Sequence, residues 1–449
     1  MNTLDFFVFN TIHYPYIPPP EENRSSWVTL SNKYFDPELG YTVYNDALEV
    51  SASAERFGYD GTLVNEHHST AWGLQPAPNL SAMHIVANTK HIPVGIIGNA
   101  LPLYHNPVRV AEEIAMLDVI SGGRIISGFV IGTGMEYFLQ PVSPAYARER
   151  FWEAHDLNLK AWTEDGPFIW EGEHFHVPSV NPWPRPIQKP FPEIWIPGLG
   201  SVETIRKCVE KGYHYMTVFS PKWMVKGFFD QYRQFAEKLG VTVDRKKLKV
   251  AVMTYVAETE AQAHREAKAH LQWIYNTGLR HPQHYHGPPG YTSKQGFAAM
   301  MALRGSVPEQ PNLSYEELLR ERYILVGTPQ QVGEILQKEY VEELGVGGII
   351  GMGTWGSMPK WMVMKGLQLA AEELVPLFRE KGGKPDYLKK PPLIPGSVAE
   401  RAATFGKPKY PSMLKVDGLE HSIPRETAHI PEVIDLSRNG KASSPATVS

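Results

Sequence analysis

The stretch IPVGIIGNALPLYHNPVRVAEEIAMLDVISGGRIISGFVIG (residues 92–132) decides the fold. Its first part, IPVGIIGNALP, is apolar without alternation, as in a strand covered on both faces. Its second, NPVRVAEEIAMLDVIS, puts Val110, Ile114 and Leu117 at helical spacing behind Pro107. Its third, GRIISGFVIGTG (123–134), is another apolar strand with a glycine-rich exit. Strand, helix and strand in this order form a parallel crossover unit.

The same unit recurs on both sides. LDFFVFN (4–10) predicts a first strand and residues 42–57 a helix stopped by Gly58; GTLVNEHH and PNLSAMHIVANT supply the second pair. Residues 147–163 are helical. EIWIPGLG with SVETIRKCVEKG, YHYMTV with a helix near 222–239, and KLKVAVMTYVAET with EAQAHREAKAHLQWI follow. The eighth strand, GVGGIIGM (345–352), lies between PQQVGEILQKEYVEEL and PKWMVMKGLQLAAEELVPLF. Eight such pairs predict an α/β chain folded as a (β/α)8 TIM barrel, with a doubly wound sheet as the alternative. The barrel domain is placed at 1–383, with insertions at about 11–35 and 275–320 on its C-terminal face. HFHVPSVNPWPRPIQKPFP (174–192) reads as an extended, proline-rich connector. Residues 384–449 read as an extended C-terminal arm whose last dozen, RNGKASSPATVS, are disordered.

Composition narrows the function classes. The 449 residues carry a net charge of −4 with no basic block, which argues against nucleic acid and anionic membrane as partners. Cys208 is the single cysteine, so no disulfide forms within one chain, as suits a cytoplasmic enzyme. MNTLDFFVFN has neither a basic start nor a long apolar run, so no signal peptide or membrane span is expected.

In a barrel, chemistry gathers where strands end. Glu66, His67 and His68 follow strand two, GNALPLYHN follows strand three, GTG follows strand four and GLGS follows strand five. Adjacent histidines on an extended segment point in opposite directions, so they do not share one ion; no HExxH or cysteine cluster exists, and no metal is expected. In IPGLGSVETIRK (196–207), glycines precede a helix whose first turn holds Ser201 and Thr204. That arrangement suits a phosphate, or else a plain cap by Ser201. GTGMEYF lacks the third glycine of a dinucleotide fingerprint.

Jointly, GTLVNEHHST (61–70), the stretch 92–132, IPGLGSVETIRKCVEKGYHYM (196–216) and VGTPQQVGEIL (326–336) resemble the bacterial luciferase-like, flavin-dependent monooxygenases, over about residues 1–380. The resemblance implies FMN or reduced FMN (FMNH2) at the strand ends, a separate NAD(P)H:flavin reductase, and O2 as co-substrate through a flavin C4a-(hydro)peroxide. It implies a homodimer joined through helices. It maps the catalytic histidine to His67 and makes Glu66 catalytic beside it, coupled to that histidine unless the strand end turns it into the barrel wall. It brings Ile97, Gly98 and Asn99 to the flavin ring, with a non-proline cis peptide at Ile97-Gly98 or Gly98-Asn99; Asn99 either bonds the flavin edge or satisfies buried backbone. Gly132 and Thr133 line the pocket, and Gly198, Leu199, Gly200 and Ser201 hold the phosphate. In AYARERFWEAH, Arg148 either joins that phosphate site or pairs with Glu153 on the helix surface. Glu112, Asp118 and Arg124 are expected to hold helix to barrel.

Both insertions are rich in aromatic residues, and either cap the mouth over an apolar substrate (a terpenoid, long aldehyde or aromatic) or bury dimer surface. His281, His284 and His286 read as a solvated loop. The competing readings are a deazaflavin (F420)-dependent hydride-transfer enzyme on the same barrel, a catalytically silent flavin-binding subunit, and a hydrolase, for which no GxSxG elbow is present.

Overall fold

The computed structural model describes residues 4–19, 21–292, 313–380, 382–390 and 393. Eight parallel strands close into a barrel in sequence order: β1 (Asp5–Asn10), β2 (Gly61–Val64), β3 (Val94–Ala100), β4 (Ile125–Val130), β5 (Glu193–Gly198), β6 (His214–Val218), β7 (Leu248–Ala251) and β8 (Gly348–Met352). β8 pairs with β1 through Gly348 opposite Asp5, which completes the ring. The fold is therefore the (β/α)8 barrel that the repeated strand–helix pattern predicts.

The helices α1 (Pro37–Phe57), α2 (Pro78–Asn88), α3 (Val108–Ser121), α4 (Ala147–Thr163), α5 (Val202–Lys211), α6 (Lys222–Lys238) and α7 (Glu260–Trp273) lie between successive strands. Local chemistry sets their ends. Asp36 caps α1 by accepting from the N–H groups of Glu38 and Leu39, with Pro37 in the first turn. α1 and α3 stop at Gly58 and Gly122, at φ +77° and +72°, where a side chain would be strained although space for one is open. Arg124 donates to the carbonyls of Val86, Thr89 and Ile92, and so ties the end of α2 to the start of β3. Asp118 accepts from the backbone N–H groups of Ile187 and Gln188. Both residues thus act as fasteners, as expected; no such bond of Glu112 is seen.

Side chains fill the lower lumen. Phe7 of β1 meets Trp195 of β5 edge-on at 5.1 Å, and Lys249 Nζ of β7 lies 4.5 Å from the Trp195 ring centre. These strands are not neighbours, so the contacts cross the barrel axis and plug it. Lys249 is buried and satisfied by the carbonyl of Lys246, 2.8 Å away.

Two features go beyond the sequence reading. Phe168–Glu171 and His176–Val180 pair as an antiparallel hairpin, so the connector at 174–192 begins as a strand. Glu153 holds the hairpin turn by accepting from the N–H groups of Glu173, His174 and Phe175, a tertiary contact invisible in a local pattern. The seventh strand breaks at Val252, and its continuation Met253–Val256 pairs with a further strand, Ile324–Gly327. That strand is four apolar residues long, too short to announce itself. The disorder expected at 438–449, like most of the predicted arm and residues 293–312 of the second insertion, lies outside the described residues.

β3 and β4 approach so closely that a Cβ on Gly98 would stand 2.5 Å from the Gly128 carbonyl. Gly98→Ala is expected to cost about 3 kcal/mol or more by forcing these strands apart. Gly227→Ala, on an open face of α6, should stabilise by about 0.5–1 kcal/mol. Denaturant unfolding of the two variants checks the contrast.

Candidate active site

The C-terminal ends of β4, β5 and β6 are partly exposed, whereas the bodies of these strands are mostly buried. Val130 to Thr133, Pro197 to Ser201, and Val218 with Phe219 therefore remain accessible on this face and outline a candidate cleft. The exit of β2 places His67 beside it. Leu63 of β2 packs over Gly95, and Gly61 over the Phe7 ring. Side chains alternate along an extended chain, so odd-numbered residues face inward and Glu66 faces out.

His67 Nδ1 lies 2.9 Å from Glu136 Oε1. The second oxygen of Glu136 accepts from the Thr133 N–H at 2.7 Å. Trp27 meets the His67 ring edge-on at 5.1 Å, and Gly73 packs so closely against the ring that a Cβ there would collide with it. Glu66 does not couple to His67 as its catalytic assignment expects; it turns into the wall, because the side chains alternate. Its Oε1 pairs with His68 Nε2 at 2.8 Å; its Oε2 accepts from the Ala100 N–H and Tyr104 hydroxyl at 3.2 and 2.9 Å. The hydrogen bond to Glu66 raises the pKa of His68 against the opposing effect of burial. Burial and the same carboxylate push the Tyr104 hydroxyl upward. The two histidines thus engage different carboxylates on opposite sides, and among the described residues no three metal-binding side chains converge.

The peptide Ile97-Gly98 is cis. The fully buried Asn99 turns its amide N–H toward Glu66, Asn79 and Tyr104, at 3.3–3.4 Å, while its Oδ1 has no partner. Gly132 has φ +87°, and a Cβ there would stand 2.9 Å from Glu136 Oε2.

Across the cleft, Arg148 Nη1 donates to Ser201 Oγ at 3.1 Å, and Arg148 Nε is buried without a partner. Ser201 makes no side-chain cap on α5. Glu153 is engaged at the hairpin, so the alternative Arg148–Glu153 pair does not form. Gly200, at φ +86°, donates its N–H to the Tyr215 hydroxyl at 3.1 Å. Gly198 packs on the Tyr215 ring, and Leu199 is exposed. An uncapped helix start beside an unsatisfied guanidinium nitrogen fits a phosphate group.

The insertions cover this region. Ser26 Oγ and Trp27 Nε1 donate to the Gly278 carbonyl, which joins the first insertion to the second. The segment 281–292 is exposed at His284 and His286, as a solvated loop would be, yet it is fastened to the barrel. Tyr291 donates to the Gly132 carbonyl at 2.6 Å, Tyr285 packs on Phe138, and the His281 and His286 rings stack at 5.5 Å. Sequence reasoning missed His13, which is buried between Trp72 and Trp273. It also missed Glu136, Trp27 and Tyr291.

A family model for the luciferase-like monooxygenases matches residues 26–347. The chain belongs to that family. It is 23% identical over 325 residues to 2,5-diketocamphane 1,2-monooxygenase 1 of Pseudomonas putida, covering 69% of this chain and 86% of the relative. It is 29% identical over 176 residues to the oxygenase component of the flavin-dependent trigonelline monooxygenase of Acinetobacter baylyi, covering 38% and 48%. The oxygenating constituent of 3,6-diketocamphane monooxygenase from Pseudomonas putida, solved with FMN, superposes with a TM-score of 0.60 at 20% identity, over 84% of this chain and 98% of that one. No helix among the described residues is long and apolar enough to cross a membrane.

Burial lowers the pKa of His13 to about 3, with nearby His67 adding to the effect and the Trp72 carbonyl opposing it. Between pH 6.5 and 3 the unfolded chain takes up a proton that the folded ring refuses, so stability falls as pH drops. At pH 5 this removes about 2 kcal/mol. His13→Gln should shrink the stability difference between pH 7 and pH 5 by that amount in denaturant titrations at both values.

Proposed function

We propose that the chain is the oxygenating component of a two-component system that uses reduced FMN and O2 on a small, largely apolar organic substrate. The observation that carries this reading is the meeting of Arg148 with Ser201 at the uncapped start of α5, across the same cleft as His67. Arg148, Ser201 and the Gly198–Leu199–Gly200 turn would hold the phosphate. Ile97, Gly98, Asn99, Gly132 and Thr133 would line the ring. Bound FMNH2 supplies two electrons and two protons, so that one oxygen atom enters the substrate and the other leaves as water. His67 holds and moves a proton at Nε2, the ring nitrogen opposite its bond to Glu136. Trp27 on that ring, and the insertions above it, exclude water and favour an apolar or flat substrate. A separate NAD(P)H:flavin reductase supplies the reduced flavin, which accords with the relative named as an oxygenase component.

Arg148→Met tests the phosphate site. A charge-assisted hydrogen bond contributes about 1.5–3 kcal/mol, so the dissociation constant for reduced FMN should rise roughly 10–150-fold. Binding of reduced riboflavin, which lacks the phosphate, should not change. Equal weakening of both ligands would remove Arg148 from this role.

The same reading includes a homodimer. Met116, Val119 and Ile120 form an exposed apolar face on α3, and Leu80 is exposed on the adjacent α2. Ile120→Arg should shift the sedimenting species from dimer to monomer while the circular dichroism spectrum stays unchanged.

A further inference from the structure

We infer that Glu136 is the positioning residue of His67, the group that fixes which of its ring nitrogens meets the reactants. The inference rests on the reading of the cleft as a flavin site and adds to it a residue that the sequence motifs do not mark. A carboxylate accepts, so the hydrogen shared between Glu136 Oε1 and His67 Nδ1 sits on the histidine. That bond leaves Nε2 as the nitrogen that gains or gives up a proton. Free neutral histidine prefers the opposite tautomer, with the hydrogen on Nε2, so the protein must impose this one. His67 keeps limited access to solvent, at 14% of its side-chain surface, whereas Glu136 has 1%.

The carboxylate is itself held. Its Oε2 accepts from the Thr133 N–H at 2.7 Å, and Gly132 leaves no room for a side chain beside that oxygen. The turn that carries it is fastened from two sides. Tyr137 donates to the Ile131 carbonyl at 2.6 Å, and Tyr291, from the second insertion, donates to the Gly132 carbonyl at 2.6 Å while its ring packs on Tyr137. Gly134 abuts the His286 carbonyl with no space for a Cβ. A carboxylate used only to start the short helical turn at 134–138 would need neither His67 nor this clamp. Glu136 links the exit of β4 to the exit of β2, which are separated in the barrel by β3.

The experiment uses the full chain labelled with ¹⁵N-histidine, with the His67 signals assigned by their loss in His67→Gln. The neutral ring of the wild type should carry its hydrogen on Nδ1 and leave Nε2 bare. Glu136→Leu should move His67 toward the Nε2–H tautomer. A wild-type His67 already in that tautomer overturns the inference, whether or not the variant folds. A second measurement follows the rate at which air reoxidises protein-bound reduced FMN. Glu136→Leu and His67→Gln should each change that rate by about 10-fold or more. The double variant should show no more than the larger single effect, because one residue acts through the other. Additive effects would overturn the inference. If wild-type protein fails to bind FMN at all, the functional reading fails, and the tautomer measurement still judges the role of Glu136.

Discussion

Alternation of side chains along an extended backbone governs this site. At the exit of β2 it sends Glu66 outward into a buried network with His68, Tyr104 and the end of β3, and His67 inward toward the cleft. A one-residue slip would exchange them and put a carboxylate where the His67 ring stands. The plugged lower lumen maintains the register: Phe7 leaves Gly61 no space for a side chain, and Phe7 with Lys249 crowds Gly348. Packing at one end of the barrel therefore fixes the chemistry at the other.

The cleft then divides into two halves with different physics. On the side of α5, donors are offered without acceptors: an uncapped helix start and a guanidinium nitrogen left unpaired. Such groups are costly to bury unless an anion completes them. On the side of β2, each carboxylate is matched to a histidine, and aromatic rings exclude water. Reduced FMN would satisfy the first half with its phosphate and expose its ring to the second. The insertions bear on the second half, where Tyr291 holds the Gly132 turn and Trp27 holds His67.

Much of this was legible from sequence because it is encoded locally. Unbroken apolar runs, helical spacing and terminating glycines located all eight strands in order, and α4 appears at residues 147–163 as expected. The loop at 198–201 could be read because glycine and serine before a helix have a direct physical meaning. What could not be read depends on distant partners. Glu136 stands three residues after Thr133, a spacing that announces a helix start and says nothing of a histidine 69 residues earlier in the chain. His13 looks like an ordinary polar residue of an insertion until Trp72 and Trp273 enclose it. The short strand at Ile324–Gly327 exists because Met253–Val256 offers it an edge. Arg148 admitted two partners from sequence, and only the hairpin's claim on Glu153 decides between them.

The central claim is that this cleft binds reduced FMN and turns it toward oxygen. The direct measurement is anaerobic titration of the protein with reduced FMN and, separately, with reduced deazaflavin F420, followed by rapid mixing of each complex with O2 while the absorbance is recorded. The account predicts tight FMN binding and an oxygen-dependent transient that precedes oxidised FMN. Tight deazaflavin binding with no reaction toward oxygen would contradict it and make the enzyme a hydride-transfer catalyst.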